Sequence, residues 1–139
     1  MEVTIEKIEK ETAWEIRHKV MWPEKDLTYI KLTDDELGIH YGLIKENKVI
    51  SVISLFINKE EAQFRKFATL QSEQAKGYGS LLLENTIVEA KKFGVKKIWC
   101  NARKNKVDFY KKFGLVETEI NFTKGGKSYV IMEKEFGNK

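Results

Sequence analysis

One cysteine, one proline and two histidines occur in 139 residues, and each scarcity closes a route. Cys100 alone cannot form an intrachain disulfide, and His18 and His40 have no cysteine partners at metal-ligand spacing. The chain is therefore expected to hold itself together by its core, without a metal, in a reducing cytoplasm. A single Pro and nine Gly exclude collagen-like and low-complexity classes. Long apolar runs are also missing: the best candidate, residues 49–57, contains Ser51 and Ser54 and falls well short of the ~20 residues a membrane helix needs. Residues 1–10 alternate charges with Val3, Ile5 and Ile8, so no export leader is expected. Nor is charge concentrated in one place. Lys and Arg number 25 against 21 Asp and Glu, a net +4, but the signs are interspersed and the Lys91-Lys92, Lys96-Lys97 and Lys111-Lys112 pairs are scattered. No nucleic-acid partner is expected from that pattern, and no membrane.

What is present reads as one core. No repeat, linker or composition break divides the chain, so a single domain over 1–139 is expected. Val3, Ile5 and Ile8 predict a first strand, and Thr12 is placed as the cap of a helix carrying Trp14, Ile16, Val20 and Met21 that Pro23 ends. Residues 24–38 are polar and read as a loop or short helix. From Ile39 the period becomes two, with Asn47-Lys48 as the turn of a hairpin whose second strand is the β-branched run 49–57. Glu60 and Glu61 interrupt, and an extended segment resumes over 64–70. Leu82, Leu83, Ile87 and Ala90 recur at helical spacing in a helix opening near Lys76 and capped by Gly94. A strand over 95–101, a short helix over 105–113 ended by Gly114, and strands over 115–122 and 128–136 around Gly125-Gly126 complete an α+β pattern.

Chemistry concentrates in the turn Gln74-Ala75-Lys76-Gly77-Tyr78-Gly79-Ser80. Its glycines let a backbone approach a ligand, and a helix N-terminus presents free amides, which together suit an anion. Leu82 stands where a dinucleotide fingerprint needs a third glycine, and no Gly-Lys-Ser or Gly-Lys-Thr opens the helix. Gly126-Lys127-Ser128 imitates the end of a P-loop, but a strand follows it. Asn105-Lys106-Val107-Asp108 spells a guanine-reading motif with no P-loop upstream.

Gln74, Gly77 and Gly79 match the Q/R-x-x-G-x-G/A signature of the GNAT superfamily of N-acetyltransferases, which this sequence resembles. Asn101-Ala102-Arg103 and Phe109-Tyr110-Lys111-Lys112-Phe113-Gly114-Leu115 are similar to that family's closing segment, and Arg65-Lys66-Phe67-Ala68-Thr69-Leu70 and residues 16–23 resemble small bacterial members. The resemblance implies a three-layer α/β/α sandwich whose mixed, mainly antiparallel sheet splays between its central parallel strands. It implies acetyl-coenzyme A as acetyl donor, with Phe67, Ala68 and Thr69 in backbone contact with its pantetheine arm. Gln74, Ala75, Lys76, Gly77, Tyr78, Gly79 and Ser80 would cradle the phosphates, Lys76 or the Lys111-Lys112 pair would supply charge, and Asn101 and Asn105 are candidate hydrogen-bond partners.

Acyl transfer to an amine needs a neutral nucleophile, a donor for the developing oxyanion and a proton for the departing thiolate. By the resemblance, Tyr110 supplies the proton and a backbone amide of the 67–70 strand the oxyanion donor. The base is missing: Gln63 stands where histone-acetylating relatives carry glutamate, and an amide cannot take a proton. Glu117, Glu119, Asp34, Asp35 and His40 are the remaining candidates. The acidic trio Asp34-Asp35-Glu36 suggests a cationic amine acceptor by charge, and also suits a helix start. Gln63 keeps open a second reading, a noncatalytic acyl-coenzyme A-binding regulatory module. Exposed edge strands at the C-terminal end allow a homodimer.

Overall fold

The computed structural model describes residues 2–137. Its elements follow in the order β1 (Val3–Ile8), α1 (Lys10–Met21), β2 (Ile39–Lys45), β3 (Lys48–Asn58), β4 (Glu61–Thr69), α2 (Tyr78–Lys92), β5 (Lys97–Arg103), α3 (Val107–Lys111), β6 (Val116–Lys124) and β7 (Lys127–Glu135), with short 3-10 turns between. The seven strands form one sheet in the order β1-β2-β3-β4-β5-β7-β6, antiparallel everywhere except where β4 meets β5.

Side chains alternate across the sheet, so neighbouring residues of β3 serve opposite layers. Val52 packs with Ile16 of α1 and Ala68. Ile53 and Leu55 join Leu82, Leu83 and Ala90 of α2 in the larger core, with Phe64, Ile98 and Met132. The result is the α/β/α sandwich expected. Burying one such aliphatic side chain contributes roughly 1.5–3 kcal/mol, which is why the period-two and helical patterns in the sequence translate directly into layers.

Turns close where their residues tolerate positive φ. Glu46 (φ 52°) and Asn47 (φ 66°) make the β2–β3 turn, one residue earlier than the expected Asn47-Lys48 because Lys48 already opens β3, and Gly125 (φ 59°) and Gly126 (φ 77°) make the β6–β7 turn. The Glu60-Glu61 interruption is only a tight turn, since β4 already begins at Glu61. Three helix starts differ from expectation. α1 begins at Lys10 with Glu9 as its N-cap, so Thr12 lies inside the helix and caps nothing. α2 begins at Tyr78 rather than near Lys76, because Gly77 takes a left-handed conformation just before it. The 105–113 helix shortens to α3, with Asn105 in the preceding 3-10 turn Lys104–Lys106. In α2, Thr86 rather than Ile87 is fully buried, its hydroxyl satisfied by donating to the Leu82 carbonyl at 2.8 Å.

Candidate functional site

The site begins where β4 and β5 part. Their parallel pairing covers only Glu61–Gln63 against Lys97–Trp99. Beyond it, β4 continues along β3 and β5 continues along β7, so the edges from Phe64 to Thr69 and from Cys100 to Arg103 face each other unpaired. A bulge sharpens the divergence: Lys66 and Phe67 together oppose Ile53, and Lys66 takes φ 55°. Extended backbone with a free hydrogen-bonding edge can accept an extended amide-bearing ligand as an added strand.

At the end of that edge stands the glycine turn. Among the described residues, the amides of Ala75, Lys76, Gly77, Tyr78, Gly79 and Ser80 have no backbone acceptor, and no side chain caps α2. Ala75 (φ 63°) and Gly77 (φ 87°) alternate into left-handed backbone, the conformation of an anion-binding nest. Gly79 serves a different purpose: a Cβ there would lie 3.3 Å from Phe67 Cζ and 3.6 Å from Thr69 Oγ1, so glycine lets the first turn of α2 sit close against β4 without displacing the Phe67 ring. Gln74 Nε2 donates to the Thr69 carbonyl at 2.9 Å, tying the turn to the strand, while Ser51 Oγ lies 2.7 Å from Thr69 Oγ1 and donates to the Ala68 carbonyl at 3.2 Å. Lys76 is 3.4 Å from Glu73, which also holds Lys45 at 3.0 Å, and Lys45 lies over the Tyr78 ring. Run and edge together fit a ligand with a pyrophosphate and an extended arm.

Tyr110 reaches the splay from α3. Its ring lies 5.7 Å from Phe64 and 5.3 Å from Phe109, and Phe109 continues to Phe67 and Phe113. Burial, with Cys100 nearby, raises the phenol above its ordinary value, so it keeps its proton at neutral pH. Cys100 is itself pushed up to about 12 by burial, an inert thiol. Asn101 and Asn105 are exposed, at the far end of β5 and in the turn after it.

The candidate bases fare differently. Asp35 is 2% exposed and its carboxylate grips Arg17 through two hydrogen bonds of 2.8 and 3.0 Å, while Trp14 Nε1 and the Leu32 amide each donate to it at 2.8 Å. Burial opposes its ionised form, but the bonds from Arg17, Leu32 and Trp14 outweigh it and hold the carboxyl at about 2. Arg17 also donates to Ser54 Oγ, which lies 2.7 Å from His40 Nδ1, and His40 Nε2 is 3.0 Å from the Asp35 carbonyl. An Nε2–H tautomer completes the chain, with Ser54 accepting from Arg17 and donating to His40. Asp34 pairs with Arg65, Glu36 with Lys10, and Glu117 with Lys111. Each member of the acidic trio thus has a basic partner within the chain. Glu119 is exposed on the outer strand β6.

Sequence reasoning missed Lys66, whose significance appears only with the bulge. It is half-buried on the α1 side, with Nζ 4.7 Å from the Trp22 ring centroid. Burial first, then the nearby cations Arg17, Arg65 and Lys124, lower its pKa, with Asp35 acting weakly against them.

Comparison with known proteins agrees with this geometry. Residues 9–136 match the model of the acetyltransferase (GNAT) domain family. The chain is 27% identical over 140 residues to the uncharacterized N-acetyltransferase YitI of Bacillus subtilis, covering 94% of each protein. Among solved structures, Escherichia coli ElaA superposes with a TM-score of 0.83 at 14% identity, covering 96% of this chain and 100% of that one. A GNAT family acetyltransferase from Elizabethkingia anophelis, solved with acetyl-CoA bound, superposes with a TM-score of 0.75 at 20% identity, covering 96% and 98%. With the splayed sheet, the glycine turn and a family match over nearly its whole length, the chain belongs to the GNAT family of acetyltransferases.

Proposed function

We propose that the protein transfers acetyl from acetyl-coenzyme A to a primary amine of a small molecule, peptide or protein by direct attack, with 1–139 acting as one N-acetyltransferase domain. The observation that carries this reading is the continuity of a free strand edge with a run of free amides, with the ring of Tyr110 on α3 packed beside Phe64 at the start of that edge. The donor supplies a thioester already activated for acyl transfer. Phe67, Ala68 and Thr69 offer backbone groups to its pantetheine arm, and one amide of that edge polarises the acetyl carbonyl. Gln74 acts through Thr69, holding the turn in place, while Ala75, Lys76, Gly77, Tyr78, Gly79 and Ser80 bind the phosphates through their amides and the dipole of α2. Asn105 contributes a side chain at the far rim.

Tyr110 keeps its proton until a thiolate develops and then gives it up. A high phenol pKa makes it a hydrogen-bond donor throughout the physiological range rather than a competitor for the amine's proton. The alternative of a regulatory module without turnover rests on Gln63, which leaves the closing point of the splay without a carboxylate. A cytoplasmic setting fits the lone buried Cys100, and no helix among the described residues is long and apolar enough to cross a membrane. The exposed edge strand β6 offers an open face for a homodimer. No nucleic-acid or membrane partner belongs to this reading.

Calorimetric titration with acetyl-coenzyme A tests the cradle. The wild type binds saturably, and Gly77→Glu, which places a carboxylate at the phosphates from an open position, weakens binding by at least about tenfold, or 1.4 kcal/mol. Tyr110→Phe keeps that affinity while lowering kcat by about a hundredfold. Absence of wild-type binding sinks both readings, and binding without turnover of any amine leaves the module.

A further inference from the structure

Around the bulge of β4 the charges do not balance. Lys66 faces Arg17 of α1, Arg65 beside it on β4 and Lys124 at the tip of the β6–β7 hairpin. Nearby carboxylates are already committed: Asp35 holds Arg17 and Asp34 holds Arg65. Among the described residues, no carboxylate lies within ion-pair distance of Lys66 or Lys124. A half-buried ammonium among cations is unfavourable by itself, and the Trp22 ring compensates only in part. Lys66 nevertheless sits three residues past the last β4–β5 pair and directly before Phe67, on the strand whose edge would receive the thioester arm. The left-handed backbone of Lys66 aims its side chain toward the end of α1 rather than along the regular strand alternation.

We infer that the acceptor amine carries a negatively charged group, a carboxylate or a phosphate, which Lys66 receives beside Trp22 with support from Lys124. This rests on the acetyl-transfer reading above. An anion there supplies the missing counter-charge to a site that the protein's own acids leave positive. The same positive field favours the acceptor's amine in its free, neutral form, because a second cation close to the unpaired Lys66 and Lys124 is repelled. That eases the requirement which Gln63 leaves unmet, a carboxylate to remove the ammonium proton. The attacking nitrogen forms the amide bond, the carbon–sulfur bond breaks, and the proton surplus on nitrogen leaves to solvent while Tyr110 protonates sulfur.

Matched pairs of amines decide the matter. Glycine against glycinamide and phosphoethanolamine against ethanolamine differ in the anion and in amine basicity, so turnover is compared per free amine at the measured pH, and the two pairs separate carboxylate from phosphate. Turnover is measured for each with acetyl-coenzyme A, and binding of the N-acetylated form of each to the coenzyme A-loaded protein is measured by saturation-transfer NMR, which needs no catalysis. The anionic member of at least one pair is expected to bind and react about tenfold better, as one charge-assisted contact of about 1.4 kcal/mol supplies. Lys66→Gln should bring that ratio close to one, with acetyl-coenzyme A affinity unchanged, and Lys66→Arg should keep most of it. Equal treatment of both members in both pairs overturns the inference, as does a preference that survives Lys66→Gln. If neutral amines react well without such a preference, acetyl transfer stands and only the anion is lost. If acetyl-coenzyme A does not bind, the reading beneath falls as well.

Discussion

Two polar regions lie against the central strands and treat their charges in opposite ways. Around Asp35 the charges are matched: its carboxylate makes two bonds to Arg17 and takes one each from Trp14 and Leu32, and a chain runs through Ser54 to His40. Arg17, Asp35, Ser54 and His40 are nearly sealed from water, and Arg17 Nε alone among their side-chain donors is left without a partner among the described residues. Along the rim from Lys66 to Ser80 the opposite holds, with an unbalanced ammonium, a strand edge without a partner and six backbone amides without backbone acceptors. Folding alone rewards the first arrangement and penalises the second. The open run lies at the surface, where water reaches its amides, and it is the part of the molecule that the proposed cofactor would engage. The closed region serves the open one, because it anchors residues 30–35 to α1 and β3 and so fixes the segment that follows Trp22.

The largest effect comes from breaking the closed region. Asp35→Ala leaves Arg17 as a buried cation without a partner and should cost about 3–5 kcal/mol in urea denaturation. Replacing both, Arg17→Met with Asp35→Leu, should cost far less than the single change, because neither charge then needs desolvation. A single-variant cost below about 1 kcal/mol, the range of an exposed pair, would abolish the contrast between the two regions.

Acid sharpens the same contrast more gently. Asp35 is held at about 2 in the folded protein against an ordinary value of 3.8. The unfolded chain therefore binds this proton first as pH falls, and the stabilisation is complete above about pH 4 and disappears as the pH drops through the folded value. The depression corresponds to about 2 kcal/mol at one unit per 1.36 kcal/mol. Stability measured from pH 5 to 2 should fall through that window, and the fall should be shallower in the Arg17→Met, Asp35→Leu variant. The rim has no buried carboxylate of this kind to titrate.

How far each region could be read beforehand follows from where its information lies. The sheet was legible because alternation and turn residues are local, as at Gly125-Gly126, although the β2–β3 turn falls one residue before the expected Asn47-Lys48. The glycine turn was legible because the left-handed φ of Gly77 is a local demand, whereas the close approach of Gly79 to Phe67 on β4 is visible only in the fold. The acidic trio was half legible: it does open the 3-10 turn Asp35–Leu37, but the partners Arg17 and Arg65 come from 18 and 31 residues away and nothing local announces them. Thr12 misled for the opposite reason: a good capping residue is found inside α1 because Glu9 already starts the helix. Lys66 was invisible because a bulge depends on the register between two strands, and the sequence of either one does not contain it.

The smallest test separates positioning from binding within the open rim. Gln74 makes one hydrogen bond, from an exposed side chain to the Thr69 carbonyl, and its loss should cost about 0.5–1.5 kcal/mol at most. If Gln74 acts by holding the turn against β4, Gln74→Ala should leave global stability nearly unchanged and weaken acetyl-coenzyme A binding a few-fold, with a more unfavourable binding entropy as the amides from Ala75 to Ser80 are ordered on ligand arrival. Gln74→Glu should do no better, because a carboxylate cannot donate to a carbonyl and adds charge beside the phosphates. Calorimetry at matched buffer conditions reads both components. An affinity loss as large as that of Gly77→Glu would mean that Gln74 touches the ligand itself, and the turn's geometry would then be carried by Ala75 and Gly77 without it.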